Sequence, residues 1–184
     1  MGVFNRYKST MHGNYWVAIF KYGLLMGIGL LLVVMFRYWF KIPLSEPVSY
    51  AENFAMLIFM FIAVFVYKRG LEERKITFKE SYIVGLGSGV IASIIYGMFL
   101  FVYSQYIDID IQQRCFEIQR AVKTNVNLSD AQLMSMVKPS SIALSGIMLS
   151  SVLSILWSLI IAILLRNEQG VLVIKEMKNL EKDK

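Results

Sequence analysis

An all-α membrane fold is predicted, with four helical spans and a helical hairpin between the third and the fourth. Three observations carry the prediction. Ser81–Ile107 and Pro139–Leu165 contain no Asp, Glu, Lys, Arg or His. Each can cross a hydrocarbon core of about 30 Å, which takes roughly 20 helical residues. Tyr22–Phe36 and Asn53–Tyr67 are shorter but equally free of charge. Composition agrees: the chain is 57% hydrophobic and 14% aromatic. Four spans use most of its 184 residues, which leaves no room for a separate soluble domain of ordinary size. Residues 1–184 therefore read as a single membrane domain.

The first span is expected over residues 15–39. Its charge-free stretch is too short alone, so Lys21 and Arg37 must carry their charges outward on apolar stems. Tyr15 and Trp16 at one end, and Tyr38 and Trp39 at the other, make the aromatic belts of the two interfaces. No small-x-small cleavage site follows the apolar run, so a cleavable signal peptide is not expected. Arg6 stands where a myristoylation signal wants Ser or Thr.

Pro43 and Pro47 mark a turn, and the second span is expected over residues 48–67. Glu52 then lies near the interface, paired with Arg37 or Lys41 across the loop. Lys68 and Arg69 fall in the last turn, and Gly70 follows as a residue suited to a left-handed cap. Thr77 and Glu80 form a capping box that opens the third span, over residues 78–107.

Residues 108–138 are the one polar segment of any size and predict the hairpin. Ile111, Cys115, Ile118 and Val122 recur at spacings of four, three and four, which is one helical stripe. Asn125 and Asn127 break it. Ser129 and Gln132 form a second capping box, followed by Leu133, Met134, Met136 and Val137. The stripe is expected to lie on the second helix with Met134 and Val137, next on a partner protein, or else on the membrane. Pro139 opens the fourth span, over residues 139–165, where a missing N–H costs nothing. Residues 166–184 form a tail.

Net charge is +6. In a soluble chain this would raise nucleic-acid binding; beside membrane spans it meets anionic headgroups instead. Thirteen Lys and Arg flank one side of the spans and six the other. The positive-inside rule therefore places both termini and the 166–184 tail in the cytoplasm and the hairpin outside.

Small residues recur at every fourth position of the last two spans. The third carries Gly85, Gly89, Ser93 and Gly97; the fourth carries Gly146, Ser150, Ser154, Ser158 and Ala162. The first has Gly23 and Gly27. Such stripes let backbones approach, either within the bundle or against a partner. The serine hydroxyls can bond their own preceding carbonyls and need no substrate.

Chemistry is sparse. No charge falls near mid-span, as proton relays and ion-coupled carriers require, and no paired inverted repeats or interrupted spans are visible. Asp108, Asp110 and Glu117 read as the solvated start of an amphipathic helix. Cys115 is the one cysteine and lies on the apolar stripe, so it reads as a packed thiol. Trp157 reads as a packing residue. His12 has no second soft ligand nearby. No catalytic, metal or cofactor site is expected.

Three parts of the chain together resemble a known family. They are Ile76-Thr77-Phe78-Lys79-Glu80-Ser81-Tyr82 with Gly85, the segment Ser129-Asp130-Ala131-Gln132 before Pro139, and the small-residue last span ending Ile160-Ile161-Ala162-Ile163. The pattern is similar to the bacterial inner-membrane family called domain of unknown function 4199, typical of Bacteroidetes-type bacteria, over about Tyr22 to Asn167. The resemblance implies four spans and a Gram-negative inner membrane, and it supplies no catalytic residues. Members usually carry an acidic, Gln-rich hairpin, whereas Arg114, Arg120 and Lys123 make this one basic. The expected role is a non-catalytic accessory or assembly subunit of a cell-envelope complex. The alternative is a lipid-handling or small-solute transport component, for example beside an enzyme of polyprenyl-phosphate sugars. Expected partners are membrane lipids and a protein or second copy, met through the spans or the hairpin, with no nucleic acid.

Overall fold

A computed structural model describes residues 15–42, 46–71, 76–122 and 129–166. Six α-helices follow in order: α1 (Tyr15–Trp39), α2 (Glu46–Arg69), α3 (Phe78–Val102), α4 (Ile111–Val122), α5 (Asp130–Met136) and α6 (Pro139–Leu165). A π-helical turn, Tyr103–Ile107, continues α3. Among the described residues every regular element is helical, with no strand. Among the described residues four helical stretches are long and apolar enough to cross a membrane, and α3 with its π-turn is the longest at 30 residues. Many large apolar side chains face outward, among them Leu24, Leu32, Phe54, Met98, Leu149 and Leu164. On a soluble protein such a surface would drive association; around four spans it is the face that lipid covers. The chain is a multi-pass membrane protein.

α3 is the hub. It runs parallel to α1, with Gly23 against Ile91 and Gly27 against Ile95. It runs antiparallel to α6, with Gly85 against Ser158 and Gly89 against Ser154. α2 closes the bundle, where Met60 reaches Gly89 and Val64 reaches Gly85. One core of Met26, Leu30, Met56, Met60, Val84 and Ile161 lies between these helices. The end that carries Tyr15, Arg69 and Leu165 is here the proximal end. The end that carries the α1–α2 connection, α4 and α5 is the distal end.

Helix termini follow local chemistry. Thr77 and Glu80 cap α3 reciprocally, as do Ser129 and Gln132 for α5. Proline opens α6. α2 begins at Glu46, two residues before the expected Val48, because Pro47 is accommodated in a first turn whose N–H groups need no partner. Its other end corrects an expectation. Gly70 does not adopt a left-handed conformation; its N–H stays on the Val66 and Tyr67 carbonyls. The left-handed residue is Lys41, with φ 50°. Lys41 N–H bonds the Tyr38 carbonyl and Ile42 N–H bonds the Arg37 carbonyl, a Schellman cap on α1 built without glycine. Lys68 caps a different helix: its ammonium donates to the Leu165 carbonyl at 2.9 Å.

Candidate functional site

Charges inside a membrane-spanning bundle are costly and mark its chemistry first. They gather at the distal end. Arg37 does not carry its charge outward as expected. Its residue is only 8% exposed, and its Nη1 lies 3.0 Å from Glu52 Oε1. The contact is an ion pair without hydrogen-bond alignment at Oε1. On the other oxygen, Glu52 accepts from the Tyr96 hydroxyl at 3.2 Å. One carboxylate of α2 thus joins a cation of α1 to a phenol of α3.

The π-turn builds the neighbouring half. Asp108 N–H bonds the Tyr103 carbonyl at 2.9 Å, five residues back. This widened turn brings the Asp108 carboxylate to the Tyr103 hydroxyl, which donates to it at 2.9 Å. Arg114, on the first turns of α4, pairs with the same carboxylate. That hydrogen bond holds the Arg114 guanidinium above its usual pKa. Tyr38 packs edge-on to Tyr103, with ring centroids 5.9 Å apart. Gln112 donates to the Ser104 carbonyl at 3.3 Å, which ties α4 to the turn that precedes it.

The cluster holds two arginines and two carboxylates, so it is formally neutral and each charge has an opposite partner. Its Tyr103 end merges with an apolar patch of Val34 and Ile111, against which Cys115 packs. Burial pushes the Cys115 thiol up, away from thiolate, which makes it a poor nucleophile. What this arrangement can do is hold: it fastens α1 to α2 and α3, and fastens α4 to the end of α3. Among the described residues no three of His, Cys, Asp and Glu come together as metal ligands would.

The small-residue stripes lie inside the bundle. A Cβ on Gly89 would fall 2.4 Å from Ser154 Oγ, and one on Gly97 would fall 2.1 Å from Ile147. Gly146 faces Leu100. Ser93, Ser150, Ser154, Ser158 and Ala162 are buried. The serine hydroxyls turn back on their own helices: Ser93 donates to Gly89 O, Ser154 to Ser150 O and Ser158 to Ile155 O. Trp157 packs against the core.

The hairpin stripe divides. Ile111 is buried and Cys115 half-buried, but against the bundle end rather than against α5. Ile118 is 41% exposed and Met134 50% exposed. The expected packing of the α4 stripe on Met134 is therefore replaced: the wider apolar surface of α1 and α3 takes Ile111. The inward residues here are Leu133 on α5 and Val137 just past its end. The Val122 side chain, Asn125, Asn127, Pro43, His12 and the 167–184 part of the tail lie outside the described residues.

The sequence pointed to Arg37, Glu52 and Asp108 but not to Tyr96 or Tyr103. Their seven-residue spacing, two turns on one face of α3, was the available signal, since phenols on a buried face need acceptors.

A family model described as "Protein of unknown function (DUF4199)" matches residues 21–167. No curated protein and no solved structure is similar enough to match. The chain belongs to the DUF4199 family.

Proposed function

We propose that this DUF4199 member is a non-catalytic accessory or assembly subunit of a cell-envelope complex in the bacterial inner membrane. Both termini lie in the cytoplasm, and α4 with α5 forms an external hairpin that meets the partner. One observation carries the reading. The small-residue stripes are occupied internally, while Ile118 on α4 and Met134 on α5 remain exposed beyond the spans. Ile109, just before α4, is 68% exposed. Apolar side chains that neither the bundle nor the spans require are the expected core of a protein contact. Arg37 with Glu52, and Asp108 with Arg114, are engaged as ion pairs, which supports a role without catalysis.

Affinity purification in mild detergent tests this, using wild type and Ile118→Asp strains that carry a reporter after Lys184. Wild type should bring a stoichiometric partner. Ile118→Asp should lose it with unchanged thermal stability, because Ile118 lies outside the core. The reporter should be active only as a cytoplasmic one. A partner retained by Ile118→Asp, or an externally active reporter, defeats the proposal.

A further inference from the structure

We propose that the proximal half of α1 seats an anionic phospholipid, with its phosphate on the Lys21 ammonium and its chains in the apolar grooves on either side. Lys21 is exposed on the lipid-facing side of α1, about one and a half turns in from Tyr15 and Trp16. Two grooves border it. The larger, about 600 Å³, runs between α1 and α3 and is lined by Trp16, Phe20, Leu24, Ile91 and Ile95. The smaller, about 320 Å³, runs between α1 and α2 and is lined by Leu25, Phe59, Ile62 and Val66. Lys21 lines both.

The grooves have a packing cause. Gly23 and Gly27 seat α1 closely on Ile91 and Ile95, which then form the floor of the first groove while Trp16 and Phe20 stand as its wall. On the other flank Phe59 covers Gly29 and keeps α2 at a distance.

The charge selects the occupant. The proximal cations of α2 are already engaged: Lys68 on the Leu165 carbonyl and Arg69 over the Phe65 ring. Lys21 lies near the Tyr22 ring, 5.8 Å from its centroid, and no ion pair among the described residues includes it. An ammonium held at the edge of hydrocarbon requires an anion or water. The grooves are walled by apolar side chains, as acyl chains require, and a lysine stem can carry its ammonium toward headgroup phosphates. A zwitterionic headgroup brings its own cation to compete for that phosphate, whereas a net-negative one does not. The inference goes beyond the partner reading and does not depend on it.

Native mass spectrometry of the full chain, in detergent with equal phosphatidylglycerol and phosphatidylethanolamine, tests the site. Wild type should retain one phosphatidylglycerol, preferred roughly tenfold, the ratio one charge-assisted hydrogen bond supports. Lys21→Gln should erase the preference and Lys21→Arg should keep it. Val17→Trp, at an exposed position lining the larger groove, should lower retention of both lipids with Lys21 intact. Equal retention of the two lipids by wild type, or an unchanged preference in Lys21→Gln, overturns the proposal.

Discussion

The α3–α6 seam and the α1–α2 flank hold the same bundle together by opposite means. Along the seam, Gly85, Gly89 and Gly97 face Ser158, Ser154 and Ile147, so backbones nearly touch. In lipid no water is released when helices meet, and close van der Waals packing supplies the attraction. On the flank, Phe59 sits over Gly29 and the helices stand apart enough to leave a groove. There the Arg37–Glu52 pair, with Tyr96 donating to the carboxylate, makes the fastening at one end. Where backbones approach, shape suffices; where they do not, a charge pair is placed at the end of the helices, nearest to water.

The largest expected effect breaks the flank. Truncating one partner of a buried pair leaves the other charge uncompensated, which costs about 3–5 kcal/mol. Glu52→Leu and Arg37→Met should each lower the thermal unfolding midpoint in detergent strongly. The double variant should recover most of the loss, since an apolar pair leaves no orphan. Additive losses in the double variant would mean that the two side chains act separately and that the flank is held otherwise.

This contrast was only half legible in the sequence. The spans could be read because hydrocarbon thickness imposes a length and forbids charge. The capping boxes at Thr77 and Ser129 could be read because they are local. The small-residue stripes displayed their periodicity, although whether they face inward or toward a partner depends on which helices neighbour one another. Arg37 was half read: its pairing with Glu52 across the loop was expected and is found, but its burial was not, because nothing local to α1 shows how closely the neighbouring helices enclose it. The π-turn at Tyr103–Ile107 was invisible for the same reason: it exists to bring Asp108 to Tyr103 and Arg114, an arrangement made by α4 docking. The left-handed residue falls at Lys41 and not at Gly70. A glycine permits a left-handed residue without requiring one, and the geometry of the α1 exit demands one of Lys41.

The next effect breaks the seam. Gly89→Leu places a branched side chain where a single Cβ already falls 2.4 Å from Ser154 Oγ and 2.7 Å from Met60. Overpacking of this kind costs about 1–3 kcal/mol. The same loss is expected for Ser154→Leu, which presses on the same contact from α6. Gly146→Leu offers a gauge: its Cβ would meet the movable end of Leu100 at 2.6 Å, so its penalty should be smaller. Equal melting temperatures for Gly89→Leu and wild type would show that the seam opens without cost and that shape is not what holds α3 to α6.

The smallest effect sharpens the picture of the distal end, and its sign is the reverse of the others. Lys41 holds φ at 50° immediately after α1, where an L-residue suffers a clash of roughly 1–2 kcal/mol. Glycine removes the clash but loses more backbone freedom on folding, about 0.5–1 kcal/mol. Lys41→Gly should therefore stabilise by a few tenths to about 1 kcal/mol. Lys41→Asn, which tolerates the left-handed region and keeps a side chain, should gain a similar amount. Both are read as a rise in the thermal midpoint, and both keep the Schellman bonds that end α1, because those bonds use backbone atoms alone. A fall in stability for both variants would mean that the Lys41 ammonium itself holds the distal end. The fastening there would then extend beyond the buried pair to the surface charge next to it, and the flank would depend on charge more widely than on the one contact between α1 and α2.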